Sequence, residues 1–238
     1  MSERIGIGVL CYGQPDEIAR HLASVREHCR LDYMLMLFDN TENDEVGGWA
    51  RSHAADALYV RSPYNVGCAR SRNWMAARFV KMGVPFFVLQ DQDVAWVGDA
   101  AAAMRAVFAR YPDTGIATWH LATRQMSGSR AEYQPDKTGA IAETPGMCCM
   151  YSADCVKAVG GWKSSMLMYR FDSLFCGAAA KAGYKTRVVW PDTNLVRHEH
   201  PHHGVQRYPW WRAEQKRSQA IFKGEVARHG LSVPGGLL

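Results

Sequence analysis

Apolar and polar positions fall in blocks along this chain, and the blocks predict its elements. Ile5-Gly6-Ile7-Gly8-Val9-Leu10 is a strand pattern, broken by Cys11-Tyr12-Gly13-Gln14-Pro15. Asp16 is placed to cap a helix from about Glu17 to Cys29, with Ile18, Leu22 and Val25 on one face. Tyr33–Phe38 is a second apolar run and Ala57–Arg61 a short third strand. Cys68–Lys81 reads as a helix with Arg70, Arg72 and Asn73 in its first turns. Phe86–Gln90 is too short for an ordinary helix and has aromatic and β-branched character, which predicts a buried strand of a parallel sheet. Ala100–Arg110 follows as a helix and Gly115–Trp119 as a fifth strand. Strands and helices thus alternate at intervals of roughly 30 residues, the βαβ signature of an α/β fold.

In the second half, a polar stretch, Gln125–Glu143, reads as a long functional or mobile loop. Glu143–Tyr151 turns and becomes a strand. Ser152 is placed to cap a short helix, Ala153–Val159, closed by Gly160. A second helix, Ser173–Ala182, ends at Gly183. Arg187–Trp190 reads as an edge strand, and a last helix runs from about Ala213 to His229.

Composition narrows the class. The length of 238 residues fits one sizeable domain, alone or with an appended tail. With 47% hydrophobic and 21% charged residues, the chain can bury a core and is not disordered. No apolar run approaches the roughly 18 residues of a membrane-spanning helix. Met1-Ser2-Glu3-Arg4 leads straight into a strand, so no signal peptide and a cytoplasmic protein are expected. The cysteines are odd in number and include no Cys-x-x-Cys pair, which argues against a secreted disulfide framework and a structural zinc site. The net charge of +5 permits anionic partners: nucleotides, phospholipid or nucleic acid. The excess gathers toward the C-terminus, which leaves peripheral contact with an anionic membrane open.

The candidate chemistry sits where apolar runs end. Phe86–Gln90 runs into Asp91-Gln92-Asp93, whose two carboxylates repel unless a cation or hydrogen-bond donors offset them. Hard oxygen ligands at this spacing suit Mg²⁺ or Mn²⁺ with a phosphate-bearing partner; the plain alternative is a surface turn in which Asp91 caps the next helix. Tyr12-Gly13 and Asp39-Asn40 end the first two apolar runs, and open α/β sheets bind ligands at such carboxyl ends. Asp39-Asn40 also reads as a simple turn. The chain has neither a G-x-G-x-x-G after its first strand nor a G-x-x-x-x-G-K-[ST], so a dehydrogenase or a P-loop NTPase fits poorly. Asp172 lies at a helix N-terminus, either as a cap or as a general base. His198, His200, His202 and His203 form either a solvated loop or metal ligands; one of them joining the Asp91/Asp93 metal is the economical reading. Trp210 and Trp211 offer a stacking platform for a sugar or base. Their helix has three placements open: packed on the domain, lying on a membrane or touching nucleic acid.

In order, these motifs resemble the inverting glycosyltransferases of the GT-A fold, in particular the large family-two group. They are Cys11-Tyr12-Gly13, Phe38-Asp39-Asn40-Thr41, Asn65-Val66-Gly67 with Ala69-Arg70-Ser71-Arg72-Asn73, Leu89-Gln90-Asp91-Gln92-Asp93, Gly160-Gly161-Trp162, and Phe171-Asp172 with Gly183-Tyr184. The resemblance spans roughly residues 5 to 200 and implies a mostly parallel central sheet flanked by helices. It implies a transferase domain over 1–205, divided into a nucleotide-sugar half (1–98) and an acceptor half (99–205), with a basic helical tail over 206–238. It further implies a nucleotide-diphospho-sugar donor touched by Tyr12, Asp39, Asn65, Arg70, Asn73 and Asp91. Asp91, Asp93 and His198 (or His200) would hold Mn²⁺ or Mg²⁺ on the diphosphate, and Asp172 would deprotonate the acceptor hydroxyl. Trp162, Trp210 and Trp211 are the acceptor-side candidates.

The acceptor implied is a glycan or lipid-linked glycan, with a modified nucleic acid or a protein left open. Three positions depart from the family pattern: Phe171 stands where the family has Glu, and Leu174 and Ala178 where it has Asp and Arg. The processive Gln-x-x-Arg-Trp motif is absent, which implies a single addition. The competing readings are a sugar-1-phosphate nucleotidyltransferase and a non-catalytic carbohydrate- or nucleic-acid-binding protein on a decayed transferase. The segment after the first strand lacks the former's basic loop, and retention of Asp39, Asp91, Asp93 and Asp172 argues against the latter.

Overall fold

The computed structural model describes residues 4–119, 137–141, 144, 146–189, 195–199 and 210–231. Along the chain the elements are β1 (Ile5–Cys11), α1 (Pro15–His28), β2 (Tyr33–Asp39), α2 (Glu45–His53), β3 (Leu58–Arg61), α3 (Cys68–Lys81), β4 (Phe86–Asp91), β5 (Val94–Trp96), α4 (Ala100–Arg110) and β6 (Thr114–Thr118). The second half adds β7 (Ala140–Ile141), β8 (Cys148–Ser152), α5 (Ala153–Val159), α6 (Phe171–Lys181), β9 (Lys185–Val188), β10 (Val196–His198) and α7 (Trp211–His229).

Among the described residues, eight strands form one mixed sheet in the order β3-β2-β1-β4-β8-β6-β9-β7, and β5 and β10 form a separate pair. β1 is buried at every residue, with β2 and β4 parallel to it on either side, which explains its uninterrupted apolar run. The parallel half, β3-β2-β1-β4, meets β8, which runs antiparallel to both β4 and β6. β9 is not an edge strand: it lies parallel to β6 and is covered on its other side by β7.

Two apolar layers sandwich the sheet. One gathers Ile7, Val9, Ile18, Leu22, Trp96 and Met104; the other gathers Met75, Phe79, Phe87, Tyr151, Phe175 and Phe222. Phe222 and Val226 bring α7 into the second layer, so among the placements open to this helix the structure shows packing on the domain. All seven cysteines are free thiols and six are buried. Among the described residues, no helix is long and apolar enough to cross a membrane.

Side-chain caps set two of the described helix starts. Asp99 caps α4 by accepting from the Ala102 N–H at 3.1 Å, and Ser152 caps α5 by accepting from Cys155 N–H at 3.2 Å. Asp16 is not a cap. Gln14 holds that position in a left-handed conformation without a side-chain bond, and Pro15, whose fixed φ suits a first helical residue, starts α1 two residues earlier. α2 carries Gly47 and Gly48, which lower its helix propensity and hide it from the sequence.

His21 on α1 is buried behind β4. Its Nδ1 donates to the Val94 carbonyl at 2.5 Å, its Nε2 accepts from the Gln90 amide at 2.9 Å, and Trp96 Nε1 donates to Gln90 Oε1 at 2.9 Å. Burial pushes this imidazole down from 6.5 to about 4. As pH falls below 6.5, the unfolded chain takes up a proton that the folded chain refuses. The contribution of neutral His21 is therefore complete above pH 6.5 and is lost progressively toward pH 4. Between pH 7.5 and 5 the loss from this residue is roughly 2 kcal/mol. Urea unfolding at both pH values should show a pH-dependent loss smaller by that amount in His21→Gln; equal losses in both proteins would contradict the assignment.

Candidate active site

Strand register builds the site. Cys11 pairs with Asp39 and Leu10 with Asp91, so the carboxyl ends of β2, β1 and β4 lie side by side. Beyond β4 the chain turns at Gln92 and enters β5, where Val94 pairs with His198 of β10. The Glu199 N–H donates to the Asp93 carbonyl at 2.9 Å, and His198 Nε2 lies 3.0 Å from Asp93 Oδ2, across 105 residues of sequence. Burial pulls the His198 pKa down, but the hydrogen bond and charge of Asp93, with that of Asp91, outweigh it and leave it raised. Asp93 Oδ1 and His198 Nδ1 are buried without a hydrogen-bond partner among the described residues. No three His, Cys, Asp or Glu residues gather around a common point among the described residues.

Arg72 joins the two halves of the site. It is 2% exposed, and its guanidinium donates to Asp91 Oδ1 at 2.9 Å, Asp172 Oδ1 at 3.2 Å and the Gly146 carbonyl at 2.8 Å, above the Phe171 ring. Burial alone would lower its pKa; the Asp172 and Asp91 carboxylates reverse this and push it up, so the group stays cationic. Burial raises the Asp91 carboxyl above its ordinary value; Arg72 offsets part of the rise and Asp93 adds to it. Asp172 lies in the first turn of α6, where the helix dipole favours its anion, while Arg170 takes the cap position. Gly146, at φ +75°, lets the backbone approach the carboxylate: a Cβ there would lie 2.3 Å from Asp172 Cγ.

The nucleotide-side candidates divide. Tyr12, Gly13, Gln14, Thr41, Glu42, Asn43 and Glu45 line a cleft of about 500 Å³ at the ends of β1 and β2. Asn65 bonds the Tyr12 hydroxyl and, through Oδ1, accepts from the Gly67 N–H at 2.9 Å. Asp39 is fully buried beneath the cleft. Its Oδ1 accepts from Thr41 N–H at 2.8 Å and its Oδ2 from the Tyr59 hydroxyl at 2.6 Å. Arg70 is not brought to this group: it is exposed on α3 and donates to the Ser164 carbonyl at 3.1 Å. Asn73 is occupied too. Its amide donates to the Trp162 carbonyl at 2.7 Å and accepts from the Trp162 N–H at 2.7 Å, fixing the Gly160-Gly161-Trp162 turn to α3.

Trp162 is a core residue here, 3% exposed, stacked on Phe175 at 4.3 Å and edge-on to Tyr151, so neither face is offered to a sugar. Trp210 is half-buried just before α7. The Trp211 side chain, His200, His202, His203 and most of the polar loop over 125–143 lie outside the described residues.

Arg72 is the site residue that motif reading passed over in favour of Arg70. Its signal was positional. Ala69, Arg72, Ala76 and Phe79 form the buried stripe of α3, and a charged residue on an apolar stripe requires a buried partner.

The sequence over residues 7–160 matches the family model described as glycosyl transferase family 2. No curated protein matches. Among solved structures, a mannosyltransferase from Pyrobaculum calidifontis, PcManGT, in complex with GDP-Man and Mn²⁺, superposes with a TM-score of 0.70 at 18% identity; the match covers 98% of this chain and 66% of that one. TarS 1–349 of S. aureus superposes at 0.63 with 12% identity, over 94% of this chain and 65% of that one. The same protein in complex with UDP gives 0.58 at 12% identity, over 80% and 59%. This chain therefore spans 66% or less of the length of these structures. With the family model matching well over half of its residues and the GT-A fold shared with these transferases, the chain belongs to glycosyl transferase family 2.

Proposed function

We propose that this protein moves one sugar from a nucleotide-diphospho-sugar to an acceptor hydroxyl, with inversion at the anomeric carbon. The observation that carries this reading is the buried guanidinium of Arg72, which holds Asp91 of the strand end and Asp172 of α6 together, next to the Asp93–His198 pair. Support also comes from the similar solved structures, one holding GDP-Man and Mn²⁺ and another UDP.

The nucleoside would occupy the cleft beside Tyr12, with Asp39 bracing its floor through Tyr59 and the Thr41 backbone. Asp93 and His198, with Asp91 beside them, would hold Mn²⁺ or Mg²⁺. The partnerless, buried Asp93 Oδ1 fits that role, since carboxylate oxygens suit both ions. The metal, when bound, neutralises charge developing on the leaving diphosphate. Arg72 orients Asp172 by donating to its Oδ1. Asp172 then takes the proton of the acceptor hydroxyl as its oxygen bonds to the anomeric carbon and the carbon–phosphate-oxygen bond breaks on the opposite side.

The test is release of nucleoside diphosphate from a panel of GDP- and UDP-sugars, with Mn²⁺, with Mg²⁺ and with EDTA. Metal-dependent release from one donor, lost in Asp93→Ala, is expected. No release from any donor with either metal would leave the transferase reading without support.

A further inference from the structure

Gln92, the residue between the two acids, is 8% exposed and takes no part in the chemistry above. Its side chain grips the loop after β1. Its Oε1 accepts from the Tyr12 N–H at 2.7 Å, and its Nε2 donates to the Gly13 carbonyl at 3.3 Å and to Glu17 Oε2 at 3.2 Å. The Gly13 N–H in turn donates to Thr41 Oγ1 at 2.7 Å.

The gripped loop is strained. Gly13 and Gln14 are left-handed in succession, at φ 64° and 57°. A residue with a Cβ adopts that conformation at a cost and keeps it only when its surroundings over-determine it. Tyr12, Gly13 and Gln14 also form one wall of the cleft. One side chain therefore ties the Asp91/Asp93 turn to the wall of the cleft.

We propose that Gln92 is a positioning residue that sets this wall for the nucleoside of the donor and couples its binding to events at the two carboxylates. The proposal rests on the donor reading above. It accounts for a buried, fully engaged amide between two acids, where a simple turn would leave a polar side chain in solvent.

The test combines hydrogen exchange at the Tyr12 amide with calorimetric titration of GDP and UDP in Mn²⁺, on four proteins: wild type, Gln92→Ala, Gln92→Glu, and Gln92→Glu with Glu17→Gln. Gln92→Ala should lose Tyr12 amide protection and weaken nucleotide binding about tenfold, the effect of losing a small number of hydrogen bonds. Gln92→Glu sets a second carboxylate against Glu17 and should weaken binding similarly. The double variant restores a donor–acceptor pair between positions 17 and 92 and should recover most of the affinity, which a general packing defect would not do. An unchanged Tyr12 amide and unchanged affinity in Gln92→Ala would overturn the proposal, as would a double variant no better than Gln92→Glu. If wild type binds neither nucleotide, the donor reading fails and the coupling with it, whatever the amide exchange shows about the clamp itself.

Discussion

Asp172→Asn is expected to lower sugar transfer by about 10²–10⁴-fold, the usual contribution of a positioned general base, while donor binding persists. The amide nearly matches the carboxylate in shape and still accepts from Arg72, so the fold is disturbed little. It cannot take the proton of an acceptor hydroxyl. The first turn of α6 and the Arg72 guanidinium both favour the anion at this position, and Gly146 leaves room for it. The measurement is turnover on the acceptor found by screening, alongside the affinity for nucleoside diphosphate. A variant that transfers at the wild-type rate would remove Asp172 from the mechanism. A variant that neither transfers nor binds donor would place the defect in folding instead.

Arg72→Met is expected to be the most destabilising single change in the site. It keeps much of the volume but leaves Asp172, almost wholly buried, and Asp91, one third exposed, without their shared cation. Breaking a buried ion pair by removing one partner costs about 3–5 kcal/mol, and the partial exposure of Asp91 points to the lower end. At this chain length that corresponds to a fall in Tm on the order of 10 °C. The Gly146 carbonyl loses a donor as well. Arg72→Lys retains the charge but offers no planar fork to reach three acceptors at once, so it should recover only part of the loss. Thermal unfolding of the two variants checks this. An Arg72→Met protein as stable as wild type would show that the two acids are neutral or solvated in the folded state, and would undo the account of how the site is held.

Much of the parallel half was legible in the sequence, because a strand buried on both faces reads as a continuous apolar run that ends abruptly in polar residues. Phe86–Gln90 followed by Asp91 is the clearest case. α3, α4 and α5 were read at their observed bounds, helped for α5 by Ser152 as a side-chain cap, whereas the Asp99 cap of α4 was not read. The β5–β10 pair was not legible. Three-residue strands joined across about a hundred residues carry no local period, and only their pairing explains how His198 comes to face Asp93. The choice between Arg70 and Arg72 was decided by the buried stripe of α3 and not by motif spacing. Trp162 misled because an aromatic residue after a Gly-Gly turn reads the same in a core as at a sugar site; Asn73 and Phe175 decide it. The burial of Asp39 was also hidden, since a strand-end Asp-Asn pair has the composition of an exposed turn.

The most direct measurement is calorimetric titration of GDP and UDP into wild type, Asp93→Ala and His198→Ala, each with Mn²⁺ and with EDTA. The expected result is that one nucleotide binds wild type in Mn²⁺ and loses at least about tenfold in affinity in EDTA, a difference of roughly 1.4 kcal/mol. Both variants should bind weakly and without regard to the metal. Equal affinity in all three proteins with and without Mn²⁺ would contradict a metal held by Asp93 and His198, and binding of neither nucleotide under any condition would contradict a donor site at the carboxyl ends of β1, β2 and β4.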